Sequence, residues 1–298
     1  MREIAPTEDH NYVAFFLTLA CNLKCPYCIN LHQLNYRHGQ LRIKNLTVDE
    51  WIEAANRLVL RDDLPLTLQG GEPTLYKGFY RFVNEVSERI KMDLLTNMKF
   101  DVKEFIKSVP VWRFTREAPY APIRVSYHPG QNDIQELIDK TLTMQEAGFR
   151  VGIYGINHPD DELRAHILST QEQCINLGID FRIKEFLGYH NGRLYGTYKY
   201  DDCINSGHYK RCECRTTEII VGPQGFVYRC HSDLYNGRAP IAHISDPNFG
   251  VYTLNNFRHC EYYGNCNPCD VKVKTNRFQI FGHTSVEIIN LLDRQNQS

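Results

Sequence analysis

"VAFFLTLACNLKCPYCIN", residues 13–30, carries two readings that together decide the fold. Its first part, Val13 to Leu19, is an apolar run of strand length, the pattern of a strand covered on both faces in a parallel sheet. Directly after it, Cys21, Cys25 and Cys28 fall within eight positions of one loop. A structural zinc or an ordinary iron–sulfur cluster takes four thiolates, so three close cysteines leave one coordination position for a ligand from elsewhere. The competing reading is a zinc site completed by His32 or His38.

Outward from this stretch, the whole chain has the makeup of an ordinary globular protein. It has 298 residues, 42% hydrophobic and 23% charged, enough for a main domain with an appendage. A formal net charge of −1 gives no bulk attraction to nucleic acid or to an anionic membrane. The sequence shows no run of membrane-spanning length and no secretory signal, so the expectation is a cytoplasmic protein with neither membrane nor nucleic acid as partner. Disulfides are rare in that compartment, so 11 cysteines point to metal or redox work. Three lie at 21–28, Cys174 stands alone, and seven lie between 203 and 269.

Strand and helix patterns alternate through the cysteine-poor middle. Thr47 is placed as an N-cap with Glu50 at the capping-box position, opening a helix. Strands are expected at 64–69, 92–97, 123–127, 149–155 and 180–186, with helices at 79–90, near 132–146 and near 160–177. Six strands alternating with helices imply βαβ units, and right-handed crossovers curl such a run into a full or partial barrel. Ligands then sit at the C-terminal strand ends, where the loops 20–36 and Gly70-Gly71-Glu72-Pro73 both lie. The alternation stops near 187. The next stretch reads as a connection, and "EIIVGPQGFVYRC" (218–230) reads as a hairpin turning at Pro223-Gln224-Gly225.

"CNLKCPYC" together with "GGEPTL" resembles the radical S-adenosylmethionine (radical SAM) superfamily, whose signature CxxxCxφC has an aromatic φ, here Tyr27. The resemblance implies a 4Fe–4S cluster on Cys21, Cys25 and Cys28 whose fourth iron binds SAM. It also implies reductive cleavage of SAM to methionine and a 5′-deoxyadenosyl radical that abstracts a hydrogen atom. The implied fold is α/β: a partial (β/α)6 barrel over residues 11–187, after an N-terminal tail at 1–10. A linker at 188–202 leads to a small C-terminal α+β cysteine-rich domain at 203–298. By the same resemblance, Gly70, Gly71 and Glu72 line the methionine end of SAM, and Thr96 and Asn97 form a polar strand tip that contacts it. Ser126, and Gly152 with Gly155, are candidates for the ribose and adenine surroundings, with ordinary packing as the alternative. A reducing partner such as flavodoxin or ferredoxin is implied as well.

The later cysteines extend the resemblance. Gly225 to Cys230 reads GxxxxC, like the SPASM and twitch extensions that hold auxiliary 4Fe–4S clusters. Cys260-x5-Cys266 keeps the middle SPASM spacing, but Phe257 occupies a cysteine position and Cys269 follows one residue early. That departure favours the shorter twitch form, with one auxiliary cluster on Cys212, Cys230, Cys266 and Cys269. Cys214 and Cys260 either replace one of these or help hold a second cluster, Cys203 and Cys174 are ordinary thiols, and a zinc ribbon is the alternative. The expected reaction is a net oxidation of a small hydroxylated metabolite, such as an aminocyclitol, with the auxiliary cluster taking an electron. The alternatives are a peptide or protein maturase and, more remotely, an iron–sulfur carrier or zinc-stabilised binding module. Tyr127, His128, Asn157, His158, Lys184 and Glu185 are the strand-end candidates for a base.

Overall fold

The computed structural model of the chain describes residues 2–7, 10–28, 30, 44–62, 64–186, 188–195, 210–216, 218–250, 256–263 and 286–290. His32, His38, Cys203, Cys266 and Cys269 lie outside the described residues, and only the backbone of Cys212 is described.

Six strands run parallel and neighbour one another in chain order: β1 Tyr12–Thr18, β2 Leu66–Gly70, β3 Met92–Thr96, β4 Ile123–Ser126, β5 Val151–Asn157 and β6 Asp180–Glu185. Between them lie helices α1 Val48–Asn56, α2 Phe79–Glu85, α3 Val102–Ser108, α4 Ile134–Glu146 and α5 Asp161–Asn176. This is the expected partial (β/α)6 barrel. The capping box is present as read, with the Thr47 hydroxyl accepting from Glu50 N–H and the Glu50 carboxylate accepting from Thr47 N–H. Helix α3 is an addition to the sequence reading, and its signal is the Asp101 carboxylate, which accepts from Lys103 and Glu104 N–H.

Alternation along the strands divides two environments. Val13, Phe15, Leu17, Leu66, Leu68, Met92, Leu94, Ile123 and Val125 face outward into one core with Trp51, Phe82 and Phe105 from the helices. Each such side chain, fully buried, contributes about 1.5–3 kcal/mol. The alternate residues Thr67, Gln69, Asp93, Arg124 and Tyr154 therefore face inward, so the barrel interior is polar along β2 to β5. Near its floor, Arg116 grips Asp93 with two bonds of 2.7 and 2.8 Å, and Arg124 adds a third of 3.1 Å.

The sheet does not stop at β1. After a hairpin of β7 Gly188–His190 and β8 Arg193–Tyr195, and then β9 Lys210–Thr216, comes β10 Glu218–Val221, which pairs parallel with β1. Strands β11 Phe226–Tyr228 and β12 Ala242–His243 add to it antiparallel, giving the order β12-β11-β10-β1-β2-β3-β4-β5-β6. The expected 218–230 hairpin is therefore present, and it is joined to the barrel sheet. The helix α6 His231–Asn236 covers the inner face of β1 and β10, where Ala14, Phe16 and Ile220 pack on Leu234 and Tyr235. The buried Arg57 guanidinium ties the N-terminal segment to the 244–249 segment by donating to Arg2 O, Ile244 O and Phe249 O. Strands β13 Arg258–Tyr263 and β14 Val286–Asn290 flank β9 in a separate three-stranded sheet. Among the described residues, no helix is long and apolar enough to cross a membrane.

Candidate functional site

At the C-terminal ends of β1 and β2 the two chains come unusually close. Thr18 O accepts from Gly71 N–H at 2.9 Å, and Ala20 O accepts from Glu72 N–H at 2.8 Å. A Cβ on Gly70, whose φ is +152°, would lie 1.9 Å from Thr18 O, and one on Gly71 would lie 2.2 Å from Ala20 O. Both glycines are thus demanded by the approach of one loop to the other.

Glu72, 1% exposed, then joins β2 to β3. Its Oε1 accepts from Thr74 N–H, the Thr74 hydroxyl and the Thr96 hydroxyl, and its Oε2 accepts from Asn97 N–H at 2.7 Å. Burial raises its pKa, and these four donors work against that rise. The Asn97 amide group donates to Asn22 Oδ1 at 2.8 Å and points at Cys21 Sγ, 3.7 Å away. The Gly-Gly-Glu loop, the β3 tip and the cysteine loop are therefore one hydrogen-bonded unit. Ser126 ends β4, with its carbonyl accepting from Asn132 at 2.8 Å.

Within the cysteine loop, Cys28 N–H donates to Cys25 O, Leu23 N–H donates to Cys21 Sγ at 3.4 Å, and Asn30 closes the loop onto Leu19 O. Cys25 is buried, Cys28 half-buried and Cys21 exposed. Burial, followed by the charges of Cys28 and Cys21, pushes the Cys25 thiol up to about 12. Cys21 is raised as well, first by burial, while the Leu23 N–H pulls it back. Such thiols deprotonate when a cationic centre binds between them. Among the described residues, no three His, Cys, Asp or Glu side chains are grouped to hold one metal ion. Cys28 and Cys21 both act on Cys25 through their charge, so the three thiols share one neighbourhood.

Tyr27, inside the loop, bonds His128 Nδ1 at 3.0 Å, and its ring lies 5.7 Å from His158 and 5.4 Å from Phe186. The hairpin of β7 and β8 brings His190 to 4.8 Å from His158. Burial, then Lys184, lowers His128 to about 4, so it is neutral near pH 7. Lys184 Nζ sits 4.7 Å over the Tyr154 ring. Tyr127 instead belongs to the outer core, with its hydroxyl 2.7 Å from His166, and Asn157 is exposed. The Phe186, His190 and Tyr195 wall is absent from the sequence reading, although Asn191-Gly192 is a strong hairpin signal.

In the second cysteine region, Cys214, Cys230 and Cys260 all act on the Arg229 guanidinium. Burial opposes its charge, but Asp233 and then these thiols hold its pKa above the usual range. Arg229 donates to Asp233 at 2.7 Å and to His259 O at 2.8 Å, while Cys230 caps α6 with Sγ 3.4 Å from Asp233 N. Cys212 is the register partner of Cys260. Cys214 and Cys260, ranked as replacements from spacing, are thus the ones gathered with Cys230 among the described side chains.

A family model for the radical SAM superfamily matches residues 15–169. The chain belongs to the radical SAM superfamily. Membership implies a 4Fe–4S cluster and SAM, and three thiols that act on one another within the 21–28 loop suit that cluster. The PqqA peptide cyclase of Bradyrhizobium diazoefficiens is 37% identical over 82 residues, 28% of this chain and 20% of the cyclase. The GTP 3′,8-cyclase of Peptoclostridium acidaminophilum is 26% identical over 204 residues, 64% of this chain and 60% of that one. This radical SAM chain thus spans less than two thirds of either relative. Among solved structures, SuiB of Streptococcus suis bound to precursor peptide SuiA superposes with a TM-score of 0.54 at 14% identity, covering 80% of this chain and 63% of SuiB. Native anSMEcpe with bound AdoMet and a Kp18Cys peptide gives 0.51 at 13% identity, covering 82% and 79%. At those identities the likeness is one of fold.

Proposed function

We propose that the chain reductively cleaves SAM at the 21–28 loop and oxidises a substrate held over the barrel mouth. The observation that carries this reading is the single bonded unit formed by Cys21, Asn97, Glu72 and the Gly70-Gly71 backbone. In it, Cys21, Cys25 and Cys28 hold a 4Fe–4S cluster, and the Gly70-Gly71 backbone with Glu72 lines the methionine end of SAM. Thr96 is occupied with Glu72 and supports that wall, while Ser126 lies on the ribose side. Cys230, with Cys214, Cys260, Cys212, Cys266 and Cys269 as the available thiolates, holds an auxiliary 4Fe–4S cluster. Bound there, the two groups would supply one-electron transfer: an electron from a reducing partner for cleavage of SAM to methionine and a 5′-deoxyadenosyl radical at the 21–28 loop, and, at the second region, uptake of the electron that the substrate gives up with a proton after hydrogen abstraction.

The chain's own residues do the rest. The Tyr27 and His128 pair is neutral and orients the loop's aromatic ring, and the barrel wall of Phe186, His158 and His190 shields the mouth from water. The substrate is read as a peptide side chain in preference to a small hydroxylated metabolite. The support is local identity: 37% over 82 residues with a peptide cyclase, against 26% with a GTP cyclase.

The test is anaerobic reconstitution with iron and sulfide, followed by dithionite and SAM. Formation of 5′-deoxyadenosine and methionine in step with iron content is the expected result. No deoxyadenosine from protein with a full iron complement would sink the reading.

A further inference from the structure

We propose that Asn97 is a positioning residue for the Cys21 thiolate, and that its side-chain N–H raises the reduction potential of the cluster held there. The inference rests on the reading that Cys21 is a cluster ligand. Asn97 lies at the end of β3, where a contact with SAM is the sequence expectation. Its amide is engaged within the protein on both sides.

Asn97 is 5% exposed. Its Oδ1 accepts from Lys99 N–H at 3.0 Å, which fixes the other end of the amide as the donor. One N–H of that NH2 group meets Asn22 Oδ1 at 2.8 Å, and the other has Cys21 Sγ at 3.7 Å. With Leu23 N–H at 3.4 Å, the Cys21 sulfur therefore faces two donors.

The turn that aims the amide is strongly held. Met98, fully buried, adopts a left-handed φ of 56°, a conformation that L residues other than Gly, Asn and Asp rarely take. It stays there because its N–H donates to the Thr96 hydroxyl at 3.0 Å and because Lys140 Nζ holds Met98 O and Phe100 O at 3.0 and 3.3 Å. Glu72 Oε2 fixes the Asn97 backbone N–H at 2.7 Å. Strain that several contacts enforce together is a mark of a functional site. Here its outcome is one amide aimed at one sulfur.

A donor at a thiolate withdraws charge from it, and this stabilises the reduced, more negative cluster over the oxidised one. Without it the potential falls.

The experiment uses the full chain, reconstituted anaerobically, and follows the EPR signal that changes on adding SAM through a redox titration. Asn97→Asp keeps the shape and the acceptor for Lys99 but removes the donor and adds a charge. Asn97→Ala removes the donor without adding a charge, and with it the bonds to Lys99 N–H and Asn22 Oδ1. Both are expected to shift the redox equilibrium toward the oxidised cluster, Ala by about threefold to tenfold and Asp by more, where tenfold is about 59 mV for a one-electron couple. An unchanged potential in variants that keep their iron overturns the proposal. If Asn97→Ala does not retain the cluster, Asn97→Asp supplies the reading, and loss of the cluster in both also overturns it, because the proposal is of tuning. Survival of the SAM-responsive signal in Cys21→Ala/Cys25→Ala/Cys28→Ala would instead overturn the assignment of the loop, a result distinct from an unchanged potential in the Asn97 variants.

Discussion

The two cysteine regions use the same ligand in opposite settings. Cys21, Cys25 and Cys28 come from one short loop, whereas Cys214, Cys230 and Cys260 come from β9, the cap of α6 and β13. The first set lies beside the buried carboxylate of Glu72, whose charge raises the Cys21 pKa. The second lies around the guanidinium of Arg229. A nearby anion disfavours extra electrons on a cluster and a nearby cation favours them. On the proposed reading, that contrast suits a loop that gives an electron away and a second region that receives one, with the N–H of Asn97 moderating the first.

Four experiments are placed to break or sharpen that contrast. The largest effect belongs to the combined substitution of Cys21, Cys25 and Cys28 by Ala. Deoxyadenosine should fall below detection by mass spectrometry while about four irons per chain remain on the second region. Loss of all iron would show that the two regions are not independent.

Next comes Gly70→Ala, which places a methyl 1.9 Å from Thr18 O and pushes the two loops apart. A cost of about 3 kcal/mol or more is expected, seen as a Tm lowered by about 6 °C or more. A Tm within 1 °C or so of the wild type would mean that the close approach is not maintained in solution.

Arg229→Met removes the cation from the second region, while Arg238, 2.7 Å from Asp233, still partners that carboxylate. The SAM-insensitive EPR signal should shift by about tenfold in redox equilibrium toward the oxidised form, and the SAM-responsive signal should stay in place. Equal shifts in both would end the electrostatic distinction.

The smallest effect at neutral pH concerns His128. Its folded value of about 4 lies below its unfolded value of about 6.5. The folded state therefore resists protonation. Its contribution is intact above pH 6.5 and is lost as the pH falls toward 4, by about 3 kcal/mol. His128→Gln should flatten the decline of Tm over that interval, and an unaltered pH profile would contradict the buried, neutral assignment.

Much of the barrel was legible because its signals are local. The apolar run 13–19, the Thr47 and Glu50 box and the alternating strands each sit within a few residues. Helix α3 was missed although Asp101 is a good cap, and the hairpin of β7 and β8 was missed although Asn191-Gly192 favours the left-handed pair observed at φ 49° and 74°. Other features carry no local signal at all. The pairing of β10 with β1 joins residues about two hundred positions apart. Glu72 meets Thr96 across 24 positions, and Asn97 meets Cys21 across 76. The sequence singles these residues out as site candidates but gives no means to see that they bind one another. Tyr127 was readable in principle, because a period of two places it with Val125 in the outer core.

The central claim is that one region delivers an electron to SAM and the other takes one from the substrate. Redox-titrated EPR of the anaerobically reconstituted chain, with and without SAM, tests it most directly. The account predicts two signals, with the SAM-responsive one reduced at the lower potential and absent from the Cys21, Cys25 and Cys28 variant. A single signal, zinc in the second region, or a SAM-responsive cluster at the higher potential would contradict it.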